Sequence, residues 1–140
     1  MLFQDMADRN GQAPDPTDPA RPVAAAAELA ATRFRELSAE IRGCAIVASG
    51  DVLAATGNPE DWAAPATALL AAADAAAGGR SSQAHVATED GEVYAVRLAG
   101  LAMVVVTDRF TLASLILADM RATLRDLARA AAGDTLAEAA

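Results

Sequence analysis

The sequence has no lysine, one cysteine and one histidine, and aromatic residues make up only 4% of its 140 positions. A lone thiol, Cys44, closes no intramolecular disulfide, and one histidine beside one cysteine makes no zinc cluster. Long apolar runs are missing too. The alanine-rich stretches are broken by charges such as Glu28 and Asp74 before they reach the ~18–20 residues of a membrane span. The opening, Met1-Leu2-Phe3-Gln4-Asp5, has neither the basic region nor the long apolar region of a secretory signal. These absences predict a cytoplasmic protein. Positive charge is scarce as well. The formal net charge is −8, and an acidic surface repels phosphate backbones and anionic lipid heads, so neither nucleic acid nor a membrane surface is an expected partner.

Alanine is abundant. Hydrophobic residues reach 54%, but alanine contributes little area per residue. With few aromatics, the core must come from Val, Leu, Ile and Met. All positive charges are arginines, which together with the alanine excess reads first as genome composition. The length suits one domain.

Residues 1–22 hold Pro14, Pro16, Pro19 and Pro22 among polar residues, too little apolar content to offset ordering entropy. They are expected to form a disordered arm, with a domain over 23–132 and a frayed tail over 133–140. Ala26, Ala30, Phe34, Leu37 and Ile41 lie three and four apart, which predicts an amphipathic helix over 24–41, terminated by Gly43. Residues 44–49 and 52–56 read as two strands joined at Gly50-Asp51. Asn58-Pro59-Glu60-Asp61 is a helix start, with Asn58 as cap. That helix runs to about Ala77 and ends at Gly78-Gly79, with a kink expected at Pro65.

Residues 82–89, 92–98 and 101–106 read as three further strands. Asp90-Gly91 is the strongest hairpin signal, and the last strand is apolar enough to be buried on both faces. A final helix is expected to open at Thr107 or Asp108, to carry Ala113, Ile116, Leu117, Met120, Leu124 and Leu127 inward, and to end at Gly133. The order α-β-β-α-β-β-β-α predicts an α+β fold, one five-stranded antiparallel sheet with helices on both faces.

Residues fit for chemistry are sparse. His85 lies on the more polar side of a strand, with no spacing to suggest a catalytic triad. Cys44, at a helix-to-strand junction, reads as a packing residue. Gly78-Gly79-Arg80-Ser81-Ser82 follows a helix instead of opening one, so the dipole logic of phosphate binding runs backwards. Glu89, Asp90 and Glu92 read as turn chemistry. The expectation is a non-enzymatic protein with no cofactor and no metal.

Two surface features remain. Arg121, Arg125 and Arg129 lie four apart on the last helix, as a solvated face near a helix C-terminus or as a contact for an acidic partner. The middle helix presents Trp62, Ala66, Leu69, Leu70 and Ala73 on one side. Ala63, Ala64, Ala71, Ala72, Ala75, Ala76 and Ala77 leave few polar residues elsewhere. A helix apolar almost all round needs cover on more than one side, and a second copy of the chain is the natural cover.

The run Arg42-Gly43-Cys44-Ala45-Ile46-Val47-Ala48-Ser49 leads into the first hairpin. The alanine- and leucine-rich middle helix follows, and Leu101-Ala102-Met103-Val104-Val105-Val106-Thr107-Asp108 enters the last helix. Over residues 25–130 this order resembles the Roadblock/dynein light chain family, bacterial type. The family's usual Asp-Gly of the first hairpin stands here as Gly50-Asp51. The resemblance implies a profilin-like fold. It also implies a homodimer with sheets joined through the third strand, bringing in Gln83, His85 and Ala87, and middle helices paired across a twofold axis. It implies a regulator or scaffold that binds a Ras-like small GTPase without supplying a catalytic arginine. A small-ligand sensor of PAS or GAF type and a dimeric scaffold with no GTPase partner are the alternatives.

Overall fold

The computed structural model describes the backbone of residues 20–139 and the side chains of residues 23–133. Its elements are α1 (Ala20–Glu36), β1 (Ile41–Ala48), β2 (Asp51–Ala55), α2 (Glu60–Ala77), β3 (Gln83–Ala87), β4 (Glu92–Leu98), β5 (Leu101–Thr107) and α3 (Ala113–Ala139). The strands make one antiparallel sheet in the order β2-β1-β5-β4-β3. The α-β-β-α-β-β-β-α order expected from the sequence is the order found.

Strand periodicity sorts the side chains between the two faces. Cys44 and Ile46 of β1, Tyr94 and Val96 of β4, and Met103 and Val105 of β5 pack against Phe34 of α1 and Met120 and Leu124 of α3. Val47, Ala95, Ala102 and Val104 point the other way, toward Ala66 of α2. Central strands β1 and β5 are therefore apolar on both sides, as the run 101–106 predicted.

Two hairpin turns use consecutive left-handed residues. Ser49 and Gly50 have φ of 52° and 83°, and Ala99 and Gly100 have 54° and 80°. This pairing matches the twist of the flanking strands, and glycine carries the second position without a Cβ penalty. Asp51 is thus the first residue of β2, and the turn falls one residue earlier than Gly50-Asp51.

Several boundaries differ from the sequence reading. The first helix stops at Glu36. Ile41 belongs to β1, where it pairs with Thr107 and is buried. Gly43 does not end a helix; it lies inside β1, where a Cβ would sit 2.8 Å from Thr56 Oγ1 and 3.1 Å from Trp62 Cζ2. Glycine there makes room for the tryptophan. Thr107 closes β5, and the last helix starts only at Ala113. Pro65 lies inside one continuous α2, at an exposed position of its second turn. There it leaves only an outward carbonyl without a helical partner. Gly133 does not stop α3, which continues to Ala139; a single glycine inside a helix costs only about 1 kcal/mol. That helix spans most of the tail expected to fray. At the other end α1 begins at Ala20, so three residues of the expected arm, 20–22, are helical, and residues 1–19 of that arm lie outside the described residues.

Candidate interaction surfaces

Helix α2 is built by its N-terminal signals. The Asn58 side chain accepts a hydrogen bond from the Glu60 amide (3.1 Å), and Glu60 and Asp61 lie in the first turn, where acids suit the dipole. At its end Gly78 takes a left-handed φ of 72°, and the Gly78 and Gly79 amides donate to Ala75 and Asp74 carbonyls.

The structure turns Trp62, Ala66, Leu69 and Leu70 toward the protein's own sheet, and Ala73, on the same side of the helix, is half-buried. These are the residues that the sequence reading assigned to a second copy. They face inward because the sheet offers only small partners there, and larger helix residues fill the gap. The outer side of α2 carries Ala64, Ala68, Ala71 and Ala75, spaced four, three and four apart and all exposed. Its surface to solvent is therefore a stripe of methyl groups.

Two polar contacts hold α2 to the sheet. Trp62 Nε1 donates to the Thr56 carbonyl (3.1 Å). Arg97 of β4 donates from its two terminal nitrogens to the two carboxylate oxygens of Asp74, at 2.5 and 3.1 Å, and to the Ser81 carbonyl at 3.0 Å. Asp74 also accepts from the Ser81 amide (2.8 Å). The Arg97 hydrogen bonds, then the Ser81 amide, hold its carboxyl below the usual range.

Among the described residues, β3 pairs only with β4, so its outer edge is open. Gln83, His85 and Ala87 lie opposite Val96, Tyr94 and Glu92 and share their face, while Ala84 and Val86 share the α2 face. Leu70 and Ala73, on the inner side of α2, line one small cavity with Gln83 and Ala84, so the C-terminal half of the helix reaches the strand with the open edge. The Arg121, Arg125 and Arg129 stripe belongs to α3, on the opposite layer. Arg121 is half-buried, the other two are exposed, and Arg129 lies 3.7 Å from Asp126.

His85 stacks on Tyr94, with ring centroids 4.3 Å apart, and its Nε2 meets Glu92 Oε1 at 2.8 Å. Glu92 is buried. Its other oxygen accepts from the Thr111 amide (2.9 Å) and hydroxyl (2.8 Å), and Tyr94 Oη lies 2.7 Å from the same hydroxyl. The Thr111 hydroxyl foremost, then its amide and His85, bring the Glu92 carboxyl down from 4.5 to about 2. Glu92 is thus a fastener between β4 and the 108–112 loop, while Glu89 and Asp90 stay exposed at the hairpin tip.

The loop it fastens carries Phe110, which sequence reasoning missed by extending the helix through this segment. Phe110 is 84% exposed with φ of 64°, and the Arg109 guanidinium lies 4.6 Å from its ring centroid. Asp108, at the start of the loop, pairs with Arg42 of β1 at 2.6 Å.

Cys44 is fully buried, its thiol donates to the Ala31 carbonyl (3.3 Å), and burial pushes its pKa up to about 11. That is the opposite of what a nucleophile requires. A cleft of 390 Å³ between α2 and the two hairpin turns is lined by Asp74, Arg80 and Arg97 among others, but Asp74 and Arg97 are engaged with each other. Among the described residues, no helix is long and apolar enough to cross a membrane.

A five-stranded antiparallel sheet in this order, with one helix on one face and two on the other, defines an α+β protein of the profilin-like kind. Within it the chain has the Roadblock/LC7 fold. A Roadblock/LC7 domain from Streptomyces avermitilis aligns at TM-score 0.62 and 15% identity, over 71% of this chain and 92% of that one. Myxococcus xanthus MglB aligns at 0.61 and 13%, over 84% and 92%. An MglB with a tetrameric arrangement aligns at 0.63 and 16%, over 83% and 92%. No family model matches the sequence, and neither does any curated protein searched.

Proposed function

We propose that this chain is a non-enzymatic, cytoplasmic Roadblock module that works as a homodimer and binds a Ras-like small GTPase, modulating its nucleotide cycle or placement. The observation that carries the pairing is the open β3 edge beside an exposed stripe of α2 made only of alanine. Unpaired strand backbone invites a second strand, and methyl-sized side chains let two helices approach closely. The Ala64, Ala68, Ala71 and Ala75 side of α2 meets its counterpart, while Trp62, Ala66, Leu69, Leu70 and Ala73 brace each helix from beneath. Gln83, His85 and Ala87 supply the strand edge. The GTPase half rests on the fold and its likeness to MglB structures, one of them tetrameric.

The mass in solution tests the first half. The wild-type chain is expected at twice its monomer mass, and Ala68→Glu, at an exposed helix position, is expected at monomer mass with unchanged circular dichroism and a melt that no longer rises with protein concentration. A wild-type monomer would refute the pairing. For the second half, a GTPase encoded beside this gene is loaded with GTP or GDP and passed over the immobilised protein. Retention of one nucleotide state supports the reading. No retention in either state favours the scaffold without a GTPase.

A further inference from the structure

On the layer away from α2, the described surface has a second unpartnered apolar feature. A groove of 360 Å³ runs between α1 and α3, with Phe34 and Leu127 among its lining residues and Arg33 and Asp126 at its sides. Leu29 and Leu37 line it as well, although they are 51% and 61% exposed. Its volume falls in the range of built ligand pockets, yet among the described residues its lining offers one cation without a partner, Arg33, and no converging polar set.

We propose that the occupant is the chain's own beginning: Leu2, Phe3 and Met6 cover this groove, tethered by residues 7–19. Three observations converge on this. Every large apolar residue of the first 19 positions falls within the first six, as Met1, Leu2, Phe3 and Met6, and the following thirteen contain none. That is the pattern of an anchor followed by a spacer. The spacer also has the reach. Thirteen residues bridge at most ~43 Å at ~3.3 Å each. From Ala20 to the level of Phe34 is only about 21 Å along the helix, at ~1.5 Å per residue. The charges agree as well. Asp5 lies within the anchor and Asp8-Arg9 follows it, while the groove carries Arg33 and Asp126, so each side offers both signs for pairing. A short tether holds the anchor at an effective concentration in the millimolar range, so even a weak contact keeps the groove covered. This inference stands apart from the GTPase reading and concerns the opposite layer.

Hydrogen exchange on the full chain tests it, against a variant carrying Leu2→Ser, Phe3→Ser and Met6→Ser. All three positions lie outside the described core, so the fold survives the change. Amides over 26–37 and 123–130 are expected to exchange several-fold faster in the variant. Wild-type protection should not depend on protein concentration, and a peptide of residues 1–9 added at millimolar concentration should restore it in the variant. A second variant, Leu29→Glu with Leu37→Glu, alters exposed groove positions and should abolish the effect of the peptide. Equal exchange in wild type and triple variant overturns the proposal. So does protection that rises with concentration and survives the triple substitution, which would seat a second copy in the groove.

Discussion

On one face of the sheet, Phe34, Ile41, Ile46, Tyr94, Met103, Met120 and Leu124 are all fully buried; on the other, the buried residues are smaller, Ala45, Val47, Ala66, Ala95, Ala102 and Val104. The first face gains its hold from large side chains, each contributing roughly 1.5–3 kcal/mol on burial. The second has little volume to bury and relies on directed contacts, Trp62 to Thr56 and Arg97 to Asp74 and Ser81. The lesson is a division of labour. The α1/α3 layer holds the fold together, and the α2 layer is a lightly anchored helix whose outer alanine stripe faces solvent.

Core truncations sharpen this contrast most. Phe34→Ala should cost about 3–5 kcal/mol by urea unfolding. Val47→Ala on the opposite face should cost about 1.6 kcal/mol, from ~0.8 kcal/mol for each of two lost methyl-sized groups. Equal losses would break the comparison. Next in size is Gly43→Ala. Its new methyl would sit 2.8 Å from Thr56 Oγ1 and 3.1 Å from Trp62, and relieving that crowding should cost ~1–3 kcal/mol, with a shift in tryptophan emission as α2 is pushed outward.

A smaller and more local effect is expected from Arg97→Ala. Amides over 70–81 should exchange faster while those of α3 are unchanged, and the Asp74 carboxyl should titrate nearer its ordinary value by NMR. Uniform acceleration across both layers would mean that the clamp belongs to the global fold. The smallest effect concerns pH. Glu92 titrates near 2 in the folded protein and at 4.5 ordinarily, so the folded state binds its proton less readily than the unfolded chain. Its contribution is complete above about pH 4.5 and fades as pH falls toward 2. Glu92→Gln should flatten that part of the urea-midpoint profile, and an unchanged acid limb would assign the loss to other carboxyls.

Element order and the inward positions of α3 were legible in the sequence because alternation and helical spacing depend on burial alone. Ile116, Met120, Leu124 and Leu127 are buried as their spacing demanded. What escaped were features decided by contacts distant in sequence. Ile41 fits the helical stripe of α1, yet pairing with Thr107 draws it into β1. Thr107 looks like a helix cap, yet it finishes β5, and Glu92 reaches across to hold Thr111 short of the helix. The side of α2 turned to the sheet could not be told from its outer side while both were apolar. The space that Gly43 leaves for Trp62, with the Trp62–Thr56 and Arg97–Asp74 hydrogen bonds, fixes which way the helix rolls. Phe110 was hidden inside an expected helix, and nothing local in its sequence marks a left-handed residue there.

The single tryptophan and single tyrosine of this chain lie in different layers, Trp62 against the underside of α2 and Tyr94 in the core beneath α1 and α3. Each layer therefore carries its own optical reporter. If the molecule melts as one unit, the two emission signals will trace the same curve. If α2 lifts first, the indole signal will move while the phenol is still quiet, and a cuvette will separate the two halves of the molecule without any label.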